Sequence, residues 1–126
     1  MPGTFIIDMG RTFTAALLMA SAPKLRFQST EQDVTANGEP KWEVQAALTW
    51  RADNGMRPVA EVVSVTIPSG SDPAAGIPVG SPIEFDTLRV GISSPERTDK
   101  GVRGGRPWYQ AAALRALTGH RKTETA

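Results

Sequence analysis

Between Glu39 and Arg51 the chain reads Glu-Pro-Lys-Trp-Glu-Val-Gln-Ala-Ala-Leu-Thr-Trp-Arg, and no other stretch constrains the fold as tightly. Trp42, Val44, Ala46, Leu48 and Trp50 are apolar, with Glu43, Gln45, Ala47 and Thr49 between them. Apolar residues at every second position give an extended strand one buried and one solvated face. A helix would scatter them around its circumference. Asn37-Gly38 precedes the run and Asn54-Gly55 follows it. Both dipeptides accept the positive φ angles of tight hairpin turns. The hairpin 37–55 is therefore expected at the centre of an antiparallel sheet, with Val44, Ala46 and Leu48 buried.

The flanking segments read as further strands. Phe5, Ile6 and Ile7 form a short lead-in. Thr12 to Phe27 is apolar and then mixed, and Pro23 stops a helix before it could become stable. A strand that bends near Pro23 and resumes through Leu25 and Phe27 is expected. Residues 57–67 place Val63, Val65 and Ile67 on one face. Residues 69–82 are rich in Gly, Pro, Ser and Ala and form a long connection. Ile83 to Ile92 is a strand again, and its change of parity at Asp86-Thr87 predicts a bulge or corner. Residues 93–107 form a second glycine-rich connection. The segment 108–117 fits a strand by its Trp-Tyr pair and a helix by its alanines. The polar tail 118–126 is expected to be disordered. These strands fit a single all-β domain over 1–117: a small five-stranded antiparallel OB-like barrel with long glycine-rich loops.

Composition narrows the function. Among 126 residues there is no cysteine and one histidine, and the net charge is +1. Disulfides, thiolate metal sites and cysteine nucleophiles are thereby excluded, and histidine chemistry is poorly supplied. Asp8, Asp33, Asp86 and Asp99 form no paired-carboxylate motif, and no phosphate loop of the GxxxxGK[ST] type is present. The inventory points away from an enzyme and implies no cofactor or metal. No apolar run is long enough to span a bilayer. Residues 13–22 imitate a signal peptide, but Asp8 precedes them and Arg11 is the sole basic residue ahead of them. They read better as a buried strand, and a cytoplasmic setting is expected.

Binding residues are better represented. Arg97, Lys100, Arg103 and Arg106 lie on one glycine-containing segment, and Trp108 and Tyr109 follow at once. Single-stranded nucleic acid offers a charge at every phosphate and a π face at every base, so basic and aromatic side chains side by side suit it. An adjacent aromatic pair on a strand must also turn one ring outward. Lys24 and Arg26 alternate on the first strand, and Trp50 beside Arg51 is the tryptophan of the alternating strand expected to reach the surface. These ten residues are the candidate DNA-binding set. On the same grounds 94–107 reads as a loop that orders on DNA.

The order of elements carries a resemblance. A hydrophobic first strand leads through a turn to Gly38-Glu-Pro-Lys-Trp42-Glu-Val44. A β-branched strand and a proline-rich link follow, leading into Pro82-Ile-Glu-Phe85-Asp-Thr-Leu88-Arg-Val90. The pattern closes on Gly105-Arg-Pro-Trp108-Tyr109. Over residues 5–117 this resembles the small replication, integration and excision activators of actinobacterial integrative and conjugative elements. More distantly it resembles phage OB-fold single-stranded DNA-binding proteins. The resemblance implies a mobile-element setting and a role in replication or excision. Single-stranded DNA is the expected partner, with replication proteins as further candidates. The alternative is a regulatory activator or adaptor that works through protein partners, which the near-zero net charge favours. Exposed edge strands in small barrels often pair across a two-fold axis, so a homodimer is expected.

Overall fold

The computed structural model describes residues 4–52, 57–93, 96–99, 101–103 and 105–117, without the side chains of 96–98, 102 and 103. Asn54-Gly55, Lys100 and the tail 118–126 lie outside the described residues.

The chain forms β1 (Thr4–Ile6), a single helical turn α1 (Met9–Thr12), β2 (Phe13–Pro23), β3 (Lys41–Trp50) and β4 (Ala60–Pro68). Then come β5 (Ile83–Asp86), β6 (Arg89–Ile92), β7 (Glu96–Thr98), β8 (Gly101–Arg103), β9 (Pro107–Gln110) and β10 (Ala113–Ala116). The protein is thus all-β apart from one helical turn. The six-stranded sheet runs β1-β6-β9-β4-β3-β2, and β10-β5 and β7-β8 are two-stranded. All neighbours are antiparallel except β4 and β9, which run parallel. No helix is long and apolar enough to cross a membrane among the described residues.

The alternating strand is β3, paired with β2 on one side and β4 on the other. Val44, Ala46 and Leu48 have no solvent exposure, as the alternation requires. Their neighbours Val65 and Ile67 on β4 are buried with them. Strand β2 curves around this core through register shifts at Phe13/Ala15 and at Leu18/Ala20. Each shift spends an extra residue on one strand and increases its bend. That is why the buried Phe13, Ala16 and Leu18 break strict alternation. The bend therefore falls at two bulges rather than near Pro23, which ends the strand opposite Trp42.

The stretch 83–116 is one long ribbon. The β5–β10 ladder ends at Asp86↔Ala113 and the β6–β9 ladder begins at Arg89↔Gln110, leaving two residues on each side. Between Ile92↔Pro107 and Glu96↔Arg103 lie three on each side. The register therefore passes unchanged through both interruptions. At the first, Thr87 takes φ 53°, a left-handed conformation uncommon outside glycine and asparagine, and the ribbon turns a corner where parity changes. The corner sends β5 and β10 across the core face, where Ile83, Phe85 and Leu88 cap the meander. Residues 108–117 are two strands with a corner at Ala111-Ala112, so their alanines do not make a helix.

The five-stranded closed barrel is corrected by this geometry. Among the described residues the ladder does not close. The ribbon meets β2 through one isolated bridge, Leu17↔Pro82, because β5 turns away to pair with β10. The lead-in supplies an unexpected sixth strand, β1, at the far edge beside β6. The segment 93–107 is also not an irregular loop, because β7 and β8 continue the ribbon as a hairpin.

Candidate nucleic-acid interface

Strand β4 pairs with β3 over its whole length, Ala60 to Pro68, but with β9 only at Val65↔Tyr109 and Thr66↔Gln110. Beyond those two rungs β4 and β9 splay apart. An open cleft of about 420 Å³ lies between them. Glu61, Val62 and Ser64 line one side and Pro107, Trp108 and Tyr109 the other, with Lys24 and Glu43 also on its wall.

Trp108 and Tyr109 face opposite ways, as neighbours on a strand must. Trp108 is opposite Gly91 on β6. Its ring covers that glycine so closely that a Cβ at Gly91 would overlap it. Thus Gly91 is glycine because the indole occupies the place of its side chain. The tryptophan keeps 38% of its surface exposed. Tyr109 is half-buried against the core. Burial pushes its phenol above the ordinary value, and the Glu61 carboxylate adds to the rise. Glu61 is held in turn by the Trp50 indole, whose Nε1 donates to Oε1 at 2.8 Å.

The hairpin β7–β8 leaves the sheet just beyond Trp108. Its backbone register sets Arg97 opposite Val102 and Arg103 opposite Glu96. Arg106 stands at its base, exposed, with its backbone locked to Ser93. Ser93 N–H donates to the Arg106 carbonyl at 2.9 Å, and Arg106 N–H donates to Ser93 Oγ at 3.0 Å. Gly105 lets the chains pass, since a Cβ there would run into the Ser93 carbonyl.

On the opposite side of the cleft, the excursion 24–40 is folded rather than loose. Leu25↔Gln32 and Val34↔Pro40 form bridges, and Gly38 adopts φ 84° in a turn. Asp33 ties the excursion down, with Lys41 Nζ at 3.3 Å and Arg26 Nε at 3.9 Å. The hydrogen bond from Lys41 holds the Asp33 carboxyl below its usual range, against a smaller opposing effect of burial. Arg26 thus has an ionic partner while staying half-exposed, and Lys24 reaches the cleft.

Two candidates have structural partners. Trp50 is half-buried, tilted against Phe13 at 4.8 Å between centroids. Arg51 donates from Nη2 to the carbonyls of Gly10 at 2.8 Å and Phe13 at 3.3 Å, pinning α1 to the end of β3. The structure brings Lys24, Trp108 and Tyr109 together on one cleft and sets Arg106 near them by sequence and strand register. Sequence reasoning missed Phe27. Its side chain is 89% exposed beside the positive-φ residue Gln28, at the tip of the first turn of the excursion. A large apolar residue amid turn-forming polar ones was the available signal. It also missed Glu43 and Glu61, since scattered carboxylates carry no motif.

No protein-family model matches the chain, and no curated protein matches it.

Proposed function

We propose that this chain is a non-enzymatic single-stranded DNA-binding protein, built on an open OB-like sheet and serving replication or transfer of a mobile element. One observation carries the reading: Trp108 rests one side of its indole on Gly91 and leaves part of its surface open, at the foot of a hairpin bearing Arg97, Arg103 and Arg106. A ring already seated on backbone has little freedom left to lose when a base stacks on it. The connectivity supports the same reading. With β5–β6 and β9–β10 each counted as one bent strand, and with β1 and the β7–β8 hairpin set aside, five strands remain: a meander, then a ribbon whose last strand runs parallel to β4. OB domains bind oligonucleotides on strands two and three and on the loops after strands one and four. Those places are here β3, β4, the excursion 24–40 and the hairpin 93–106. The open outer edge of β1 supports a homodimer by strand pairing.

Titration of fluorescent single- and double-stranded oligonucleotides at two salt concentrations tests the reading. Binding to single strands should weaken steeply with salt. Trp108→Ala should cost about 1–3 kcal/mol of affinity and leave the salt slope nearly unchanged. Arg106→Ala should make the slope shallower by roughly 0.7. No binding at low salt would remove the reading and bring forward the adaptor that acts through protein partners.

A further inference from the structure

We infer that the cleft between β4 and β9 takes a nucleobase rather than a phosphate, and that Glu43 and Glu61 make it prefer guanine. The inference rests on the single-stranded DNA reading above and adds what the site selects.

The first ground is the open half of β4. The Trp50 N–H donates to the Val59 carbonyl at 2.8 Å, and such bonds recur at every second residue of an antiparallel ladder. Residues 59, 61 and 63 therefore turn their main-chain groups toward β3. Val62, between them, turns its N–H and C=O toward the cleft, where β9 has already diverged. A base edge, which carries donors and acceptors, suits a strand edge of this kind.

The second ground is charge. The cleft wall carries Glu43 and Glu61 against one cation, Lys24. A phosphate placed there meets two carboxylates for one ammonium, whereas a base brings no charge. The phosphates are then left to the hairpin arginines and the rim. The third ground is apolar cover. Trp108 and the 58%-exposed Val62 stand on opposite sides of the cleft and offer surfaces for the faces of a ring.

The carboxylates decide which base. An ionised carboxylate only accepts hydrogen bonds. Guanine presents N1–H and the N2 amino group side by side, matching the two oxygens of one carboxylate. Cytosine and adenine each present one amino group next to a bare ring nitrogen, whose lone pair opposes the second oxygen. Thymine presents one N–H between two carbonyls. The Glu43 side chain has no hydrogen-bond partner among the described residues and is free to act as the fork, while its backbone is fixed between β2 and β4. Glu61 already accepts from Trp50 through Oε1 and is held in place, with its second oxygen unclaimed among the described residues.

The test compares three oligonucleotides of about a dozen residues at one fixed salt concentration: all thymidine, thymidine with two isolated guanines, and the same with inosine for guanine. The guanine strand should bind about 5- to 10-fold more tightly than the thymidine strand, the low end for a bidentate contact because the cleft is open to water. Inosine, which keeps N1–H and lacks the amino group, should fall between. Glu43→Gln should shrink the preference, and Glu43→Gln with Glu61→Gln should abolish it, read in each variant as the ratio of guanine-strand to thymidine-strand affinity. Circular dichroism checks that both variants fold; the single variant, whose side chain has no partner among the described residues, serves if the double one does not. Equal binding of all three strands overturns the inference and leaves the DNA reading standing. A preference that survives in the folded variants overturns it too. Failure of every strand to bind removes the DNA reading and this inference with it.

Discussion

The β2–β3–β4 meander and the ribbon 83–116 are both antiparallel, yet they do different work. In the meander β3 has neighbours on two sides, and its inward Val44, Ala46 and Leu48 are fully buried. The ribbon adds to the core chiefly at its proximal end and corner, through Ile83, Phe85, Leu88 and Ala111. Beyond the corner its burial fades. Val90 is half-buried, Ile92 is 56% exposed, and the distal hairpin leaves the sheet altogether. One register thus carries the chain from core to surface. The lesson is mechanical: a ribbon anchored at one end can carry an aromatic foot, Trp108, and a hairpin beyond it without drawing on the core for support.

The largest effect should come from breaking the meander. Leu48→Ala removes a fully buried side chain flanked by two strands and should destabilise by about 2–5 kcal/mol. Ile92→Ala, on the outer ribbon, should stay within about 0.5 kcal/mol. Urea unfolding of the two variants measures both. Equal losses would mean that the ribbon is as much a part of the core as the meander.

How far the sequence revealed this division depends on the range of the information. The period-two alternation of β3 was legible because burial on one face imposes it residue by residue. The corner at Asp86-Thr87 was legible because parity changes there. The bulges of β2 were not, since they answer to curvature around a core that no local pattern encodes. Strand β1 and the helical turn are too short to leave a periodic signal. Failure of the ladder to close is a long-range property that depends on which partner β5 takes. Trp50 and Arg51 invited a surface reading by adjacency alone, while the groups that hold them lie far off in sequence: the Phe13 ring and Glu61 carboxylate for Trp50, and the Gly10 and Phe13 carbonyls for Arg51. For the candidate site, the basic and aromatic residues could be read, but the two-rung contact of β4 with β9 that opens the cleft could not.

A smaller effect sharpens the comparison at the boundary between the two regions, where Tyr109 joins the ribbon to β4. It is the chain's single tyrosine, so its phenolate absorbance reports one group. Titration should occur above the ordinary tyrosine value, with burial the larger cause and Glu61 the lesser. Glu61→Gln should lower it in part and leave it raised. A raised value means that the fold favours the neutral phenol. The associated stability is fully present below the unfolded value near about 10 and is lost as pH rises through the folded one. An ordinary titration would mean that the foot of the ribbon is open to water, and the division would then begin at the corner rather than at Trp108.

The smallest effect concerns how the excursion 24–40 is attached to the meander. The ribbon is held chiefly by main-chain ladders, which do not titrate, with one ion pair, Arg115 to Glu84, laid across the β5–β10 rungs. The excursion is held partly by Asp33, which accepts from the Val34 N–H at 2.9 Å and pairs with Lys41 and Arg26. The Asp33 carboxyl is depressed below its ordinary value, chiefly by the hydrogen bond from Lys41. A depressed carboxyl contributes stability above the unfolded value, near about 4, and loses it as pH falls through the lower folded value. Acidification should therefore loosen 24–40 before it loosens β3 or the ribbon. Amide exchange followed down the pH scale reads this, once rates are corrected for intrinsic acid dependence. Protection at Arg26 and Asp33, whose N–H groups donate to Glu31 and Lys24 carbonyls, should fall first. Asp33→Asn should start with that protection already reduced and show less further loss. Both ion pairs are partly exposed, so raised salt should mimic a fraction of the acid effect. If protection in 24–40 and in β3 fades together, the excursion is part of the meander's cooperative unit, and Asp33 is an ornament of the surface rather than its tether.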